Sequence, residues 1–166
     1  MEKQQFQLDI TGLGIIFYSP HAVRHIGEGE RYLQEHYWAP QDVVRHVYEG
    51  SIVGVATGTP GIFHLNIYQD TQPDIDELRP DYALKLCLKV TGHTVYFRDL
   101  YVLRRWEKMN ETGIKVEMED GNYEVIVCSW IPESGTLGDH QQIDFYFNRT
   151  AELPKLRYEG VPALLS

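Results

Sequence analysis

LDITGLGIIFYSPHAVRHI at residues 8–26 returns as LKVTGHTVYFRDLYVLRRW at residues 88–106, in a chain of 166 residues. The two passages align without a gap at a constant offset of 80, and five of their 19 positions are identical. Two unrelated passages of average composition would share about one. The identical pairs are Leu8/Leu88, Thr11/Thr91, Gly12/Gly92, Phe17/Phe97 and Arg24/Arg104.

A second, shorter correspondence follows each copy. Glycine and then aromatic and aliphatic residues recur at alternate positions in both places: Gly61, Phe63, Leu65 and Ile67 correspond to Gly121, Tyr123, Val125 and Val127. Self-similarity on this scale predicts two related supersecondary units that share one core. We therefore expect a single domain over residues 1–166, with repeat one at 6–70, repeat two at 82–149 and a tail at 150–166.

Short apolar segments with period-two alternation predict strands along most of the chain. About nine such segments, separated by turn residues, predict a mainly β fold: an antiparallel two-sheet β-sandwich built from two related repeats. Two local signals predict hairpins. One is the turn at residues 11–14, and the other is Asp120-Gly121, which lies between two predicted strands.

The first repeat also contains a stretch in which the period changes from strand-like to helical. Residues 21–48 predict a small helical insertion, whose last helix begins at Pro40 and ends at Gly50. The tail is apolar but carries Pro154 and Pro162, so it cannot supply a continuous ladder of hydrogen bonds. We expect it to lie across an open sheet edge or a sheet face.

The charge balance indicates which partners suit this chain. Acidic residues outnumber basic ones 24 to 15, which gives a net charge of −9. Nucleic-acid binding needs clustered Lys and Arg, so the composition argues against it and favours a basic protein partner. The chain has no stretch long and apolar enough to span a bilayer, and its first residues do not form a secretory signal. We expect a cytoplasmic protein, and the sequence leaves its oligomeric state open.

The two cysteines, Cys87 and Cys128, both lie on predicted strands. Buried free thiols are the expected state in a cytoplasmic protein, and a disulfide is the alternative.

Few residues form a pattern that indicates catalysis or a cofactor. His21 and His25 have the four-residue spacing of metal-binding helices, but no glutamate follows His21 and no third ligand can be named. Asp139, His140 and Asp144 form a polar cluster in which a carboxylate could orient a histidine, but no nucleophile elbow accompanies it. We therefore predict no catalytic residue, no cofactor and no metal, with His21 and His25 as the weak metal alternative.

Aromatic residues make up 12% of the chain and suggest an alternative function. Trp38, Trp106 and Trp130 invite a stacking surface for sugars or other small ligands. Large aromatic side chains in a sandwich also commonly pack in the core, so this pattern keeps a carbohydrate- or small-ligand-binding protein as the second possibility.

One segment resembles a known family. Residues 114–123 read IKVEMEDGNY and are followed by Cys128, Trp130 and Pro132. The run resembles the competence protein J family of bacterial nuclease inhibitors and is similar to small β-sandwich proteins of bacterial toxin-immunity sets. The resemblance implies a cytosolic inhibitor or immunity protein whose acidic surface binds a basic enzyme. This chain has two such units and a helical insertion in the first, so the binding face has to be found among its own residues.

The sequence thus favours a non-enzymatic bacterial β-sandwich that binds another protein. Charge complementarity speeds the encounter of two proteins and discourages wrong partners, which gives the acidity a physical role. The residues predicted to form an acidic binding rim are Asp70, Asp74, Asp76, Glu77, Glu117, Glu119 and Asp120.

Overall fold

Two β-sheets pack face to face, and short helices lie over the smaller sheet and along the sides of the sandwich. The computed structural model describes residues 3–108, 113–156, 158 and 161–163. These residues form nine strands: β1 Gln4–Ile10, β2 Gly14–Tyr18, β3 Ile52–Ala56, β4 Gly61–Gln69, β5 Tyr82–Val90, β6 Thr94–Asp99, β7 Ile114–Glu117, β8 Gly121–Ser129 and β9 Gln141–Thr150. They also form four short α-helices and a 3-10 helix: α1 Pro20–Val23, α2 Tyr32–His36, α3 Pro40–Glu49, α4 Ile75–Leu78 and the 3-10 helix Leu100–Arg104.

The larger sheet has five strands in the order β1-β4-β9-β8-β5, and the smaller sheet has four in the order β3-β2-β6-β7. The prediction of a mainly β, two-sheet fold is confirmed. The prediction that all strand pairs are antiparallel is wrong, because β4 and β9 pair in parallel. Since β4 and β8 run in opposite directions on the two sides of β9, an inserted strand has to be parallel to one of them.

Both predicted hairpins are wrong for a common reason. β1 and β2 lie in different sheets, and so do β7 and β8, so each pair is joined by a corner that crosses the sandwich. The Asp99 carboxylate holds the first corner by accepting hydrogen bonds from the Thr11 backbone N–H at 2.8 Å and from that of Gly12 at 3.3 Å. A turn signal between two apolar runs therefore marks a change of sheet here.

The two similar passages supply β1–β2 and β5–β6. β1 and β5 are the two edges of the larger sheet, and β2 and β6 are neighbours in the smaller one. The register pairs Phe17 of β2 with Phe97 of β6. In the larger sheet Leu8 lies opposite Phe63, and Leu88 lies opposite Tyr123. That the two halves are related repeats stays a prediction of the sequence.

Four phenylalanines fill the centre of the space between the sheets. The rings of Phe17 and Phe97 stack with 5.6 Å between their centroids, and both meet the rings of Phe145 and Phe147 of β9 edge-on. All four side chains are fully buried. Edge-to-face and offset contacts of this kind are the favoured arrangements of aromatic pairs.

A helical layer covers the outer face of the smaller sheet. The predicted insertion at residues 21–48 corresponds to α1, α2 and α3, which together span residues 20–49. The Tyr37 hydroxyl ties this layer to the sheet by donating to the Ile52 carbonyl at 2.9 Å. β2 is buried along its whole length because both of its faces are covered. No sequence pattern predicted α4 or the 3-10 helix. Among the described helices, none has both the length and the apolar character that a membrane span requires.

The tail follows the open edge of β3, as its prolines predict. The Ala56 N–H donates to the Pro162 carbonyl at 2.7 Å, and Ala56 and Ala163 form an isolated parallel bridge. Tyr158 links the tail to two other elements: its hydroxyl donates to the Lys85 carbonyl at 2.7 Å, and its N–H donates to the Tyr48 hydroxyl at 2.8 Å. The tail therefore protects a sheet edge.

Deleting residues 151–166 should lower the thermal midpoint by about 5 °C or more, because the β3 edge and the apolar surface beneath the tail become exposed. Differential scanning calorimetry measures this directly. Tyr158→Phe, which removes only the hydroxyl that reaches Lys85, should lower the midpoint by less. An unchanged melting curve for the deletion would show that the tail does not stabilise the sandwich.

Candidate functional site

The seven predicted acidic residues are all exposed, and the structure divides them into two groups. Glu119 and Asp120 contact Arg149, and Asp70 and Glu117 lie in the adjoining corner segments; we call these four residues the Arg149 acidic cluster. The other three residues belong to α4: Asp76 and Glu77 lie on the helix, and Asp74 caps it by accepting from the Glu77 N–H at 3.2 Å. The seven residues thus fall into two neighbouring groups, and their role as a binding rim stays a prediction.

The Arg149 acidic cluster is built where two corners meet the end of β9. Asp70 follows β4, and its N–H donates to the Phe147 carbonyl at 3.0 Å. Arg149 donates to the Glu119 carboxylate at 2.9 Å and to the Asp120 carbonyl at 2.8 Å. The Gln69 side chain joins the two corners by donating to the Glu117 carbonyl at 3.0 Å.

The corner between β7 and β8 requires a glycine. Gly121 has φ of 152°, and a Cβ atom there would lie 3.0 Å from the Arg149 Nη2 atom. The corner therefore needs a residue without a side chain in order to bring Arg149 beside Glu119 and Asp120.

Two members of the Arg149 acidic cluster already have internal partners. Glu119 is paired with Arg149, and the Asp120 carboxylate accepts from the His93 N–H at 2.7 Å. Within the described part of the chain, the Asp70 and Glu117 carboxylates have no salt-bridge partner. These two charges are the ones available to another molecule.

The acidic patch on α4 lies on the connection from β4 to β5, and the last residue of that helix reaches the end of β8. The Trp130 indole N–H donates to the Leu78 carbonyl at 3.1 Å, which fixes the end of α4 next to the residue that follows β8. The Arg149 acidic cluster lies beside the start of β8. Asp74 follows Asp70 by only four residues, which span at most about 14 Å, so the two patches are neighbours on the larger sheet.

A second candidate site, which we call the Arg98 pocket, lies on the outer face of the smaller sheet. Tyr96 and Arg98 point to this face from β6, and Tyr18 of β2 lies directly opposite Tyr96. The Trp106 ring packs against Tyr18 with 5.7 Å between centroids. The cavity between these side chains has a volume of about 370 Å³.

Arg98 is the most unusual residue of this pocket, because it is a buried cation with only 3% of its surface exposed. Its Nη1 atom donates to the Tyr18 hydroxyl at 3.2 Å and to the Glu107 carbonyl at 2.8 Å. Its guanidinium carbon lies 5.0 Å from the centre of the Trp106 ring. Among the described residues, the Nε and Nη2 atoms of Arg98 and the Nε1 atom of Trp106 have no hydrogen-bond acceptor.

The pocket is also positively charged. Arg24 and Lys108 are exposed at its rim, and no carboxylate is found among the described residues that line it. Burial raises the pKa of the Tyr18 hydroxyl, so this group stays protonated as well. Sequence reasoning missed this site. The signal was an arginine in the apolar strand β6, at the position that corresponds to Tyr18 in the first copy.

A row of polar pairs crosses the outer face of the larger sheet, along the parallel strands β4 and β9. The imidazoles of His64 and His140 stack and lie 2.9 Å apart between Nε2 and Nδ1. The buried Asp144 carboxylate accepts from Asn66 at 2.8 Å and from Gln142 at 2.9 Å. The cluster of Asp139, His140 and Asp144 suggested by the sequence is therefore divided, because His140 hydrogen-bonds to His64 and Asp144 hydrogen-bonds to two amides.

The predicted free thiols are confirmed, since Cys87 and Cys128 are both buried and unpaired. The β5–β8 register places Cys128 opposite Ala83 and Cys87 opposite Glu124. The two cysteines are therefore four residues apart along the ladder, or about 13 Å, which is too far for a disulfide. Burial raises the pKa of each thiol to about 11, and the Asp144 charge adds to the effect on Cys128.

Neither cysteine should react with Ellman's reagent in the native protein at pH 8, because a thiol with a pKa of about 11 is only about one part in a thousand thiolate there. Both should react once guanidinium chloride unfolds the chain, and that reaction serves as the control. Rapid labelling of the native protein would contradict the burial of these residues.

The other sequence candidates do not come together as a site. α1 ends at Val23, so His21 and His25 are not on one face of a continuous helix. His25 packs against Tyr32 instead. The three tryptophans do not form a stacking platform either: Trp38 is 72% exposed, Trp106 is buried beneath the Arg98 pocket and Trp130 lies against α4.

No protein-family model matches the chain, and no curated protein matches its sequence. Two solved structures share its fold. One is ComJ from Bacillus subtilis, described as an inhibitor of the DNA-degrading activity of NucA; it matches with a TM-score of 0.50 and 7% identity, over 89% of this chain and 96% of that one. The other is described as crocagin biosynthetic gene J and matches with a TM-score of 0.55 and 10% identity, over 88% of this chain and 98% of that one.

At this level of identity the two likenesses establish the fold alone. The resemblance of the sequence to the competence protein J family is confirmed at that level. One of the two proteins is an inhibitor and the other belongs to a biosynthetic gene set, so the fold by itself does not fix a function.

Proposed function

We propose that this chain is a non-enzymatic, protein-binding β-sandwich that acts in the bacterial cytoplasm as an inhibitor or immunity protein for a basic nuclease or toxin. The main support is a fold like that of ComJ over nearly the whole of both chains, in a protein with a net charge of −9. The two free thiols fit the reducing conditions of the cytoplasm.

The Arg149 acidic cluster is the proposed contact surface. Its four exposed acidic residues come from two adjoining corners, and the Asp70 and Glu117 carboxylates have no salt-bridge partner among the described residues. Exposed charge at a rim increases the association rate more than the final affinity. We therefore propose that Asp70 and Glu117 attract a basic partner to the end of the sandwich where the Arg149 acidic cluster lies.

The patch on α4 is the weaker alternative surface. Asp74 is already engaged in capping the helix, and α4 is only four residues long. Asp76 and Glu77 remain exposed there and provide a matched comparison for the two free carboxylates of the Arg149 acidic cluster.

Isolation of the protein from its native host at low ionic strength tests the proposal. We expect a basic protein to copurify in equal amount and to dissociate at high salt, since screening weakens contacts between exposed charges. After separation, the partner should show a degradative activity that is suppressed in the complex. A chain that purifies alone at low salt from cells that make it at native levels would contradict the proposal.

A small-ligand-binding function is the second candidate, and the Arg98 pocket is the observation that favours it. The pocket combines aromatic walls with buried donors that have no acceptor among the described residues. This arrangement is typical of a site for an organic ligand. The exposed tryptophan surface expected for carbohydrate binding is not what supports this candidate.

A further inference from the structure

We infer that the Arg98 pocket binds a small aromatic anion, whose charged group completes the hydrogen bonding of Arg98 and whose ring lies among Tyr18, Tyr96 and Trp106. This site is separate from the acidic contact surface and does not depend on the inhibitor proposal. Three features of the pocket favour such a ligand: the buried charge of Arg98, the positive charge of the lining and the shape of the walls.

The first feature is the buried charge of Arg98. An arginine side chain stays charged at all physiological pH values, and burying a charge without a partner is costly. Arg98 has one neutral hydroxyl and one carbonyl as hydrogen-bond partners, and the described residues give it no carboxylate. The edge formed by Nε and Nη2 carries parallel N–H donors, which is the geometry that binds two oxygens of a carboxylate or phosphate.

The second feature is the positive charge of the pocket lining. The protein carries a net charge of −9, yet the described lining of this pocket holds three cations and no acid. The indole N–H of Trp106 adds another buried donor without an acceptor. A set of donors and cations in one cavity attracts an anion and repels a cation.

The third feature is the shape of the cavity. The cavity of about 370 Å³ is within the usual range for small-molecule sites. Tyr18, Tyr96 and Trp106 supply flat apolar walls against which a ring can pack. The unpartnered nitrogens of Arg98 and Trp106 are shielded from solvent, so the ligand has to displace part of the wall, and the exposed side chain of Lys108 lies at the rim.

Isothermal titration calorimetry in chloride-free buffer tests the inference with three probes of similar size: benzoate, phenyl phosphate and uncharged benzamide. We expect one benzoate or phenyl phosphate to bind per chain, and the tighter of the two identifies the preferred anionic group. Benzamide should give no saturable heat. Binding of benzamide as tight as that of benzoate, or the absence of binding by both anions, would overturn the inference.

Two variants locate the binding. Arg98→Lys keeps the charge but removes the two-donor edge, and it should weaken anion binding by about tenfold or more. The matched control is Arg104→Lys, which alters an arginine that also stacks on a tyrosine ring, at 4.3 Å from Tyr101, but lies outside the pocket. The control should bind as the wild type does. Equal affinity of wild type and Arg98→Lys would overturn the assignment.

If Arg98→Lys does not fold into the native structure, a variant at the rim of the pocket still tests the inference. Lys108 is exposed, so Lys108→Met should fold normally and should weaken anion binding by about threefold through the loss of one screened charge. In that case an unchanged affinity of Lys108→Met would count against the Arg98 pocket.

Discussion

Phe17→Ala should destabilise the protein by about 3–5 kcal/mol, the usual cost of removing a large aromatic side chain from a core. Phe17 is fully buried and contacts the rings of Phe97, Phe145 and Phe147, so its loss leaves a cavity at the point where the two sheets meet. A domain is stable by about 5–15 kcal/mol in total, and this single change removes a large part of that margin.

Equilibrium unfolding in urea gives the free energy of unfolding for this comparison. Trp38→Ala is the control, because Trp38 is an aromatic residue of similar size that is 72% exposed. It should change the free energy of unfolding by less than about 0.5 kcal/mol. Equal effects of the two substitutions would mean that the four phenylalanines are not the centre of the core.

The second large effect concerns association. Replacing the two free carboxylates of the Arg149 acidic cluster, as Asp70→Asn with Glu117→Lys, should slow association with the copurifying basic partner by about tenfold at low ionic strength. Asparagine is chosen at residue 70 because φ is 55° there, and asparagine tolerates this left-handed conformation. Stopped-flow mixing or surface plasmon resonance measures the association rate.

A matched variant distinguishes the effect of charge at one surface from the effect of the net charge of the protein. Asp76→Asn with Glu77→Lys changes the net charge by the same amount, but on the α4 patch and not in the Arg149 acidic cluster. If the Arg149 acidic cluster is the contact surface, this variant should associate at close to the wild-type rate. Equal slowing by both variants would indicate that only the net charge matters and would remove the assignment of a contact surface.

The sequence predicted much of the secondary structure because the strands follow simple patterns. β4 and β8 each place apolar residues at alternate positions towards the core, and β2 is a short apolar run bounded by Gly14 and Pro20. Pro40 and Gly50 mark the limits of α3, since proline suits the first turn and Gly50 takes the left-handed conformation that ends the helix.

The pairing of the strands could not be predicted in the same way. A turn signal has the same residues whether the chain folds back beside itself or crosses to another sheet. The corner at residues 11–14 depends on the Asp99 carboxylate, which is 88 positions away from Thr11 in the chain. The parallel pairing of β4 and β9 likewise depends on a late strand that enters between two earlier ones.

For the candidate sites too, some properties follow from the local sequence, and others depend on contacts between residues far apart in the chain. Acidic residues are exposed because charged groups avoid the core, so their exposure follows from composition. Their separation into two patches follows from the fold, since α4 is fixed by Trp130 and the other group by Arg149. The Arg98 pocket was not predicted from the sequence, because its donors come from two segments: β6 and the segment after the 3-10 helix. These donors meet only over the outer face of the smaller sheet.

Inhibition of the isolated partner is the decisive measurement of whether this protein is an inhibitor. The wild-type protein is titrated into a fixed amount of the partner while the partner's activity is followed, with DNA degradation as the readout for a nuclease. We expect a linear loss of activity that ends at one chain per partner molecule, with weaker inhibition by the Asp70→Asn/Glu117→Lys variant than by the Asp76→Asn/Glu77→Lys variant. Full partner activity in the presence of excess wild-type protein would contradict this expectation.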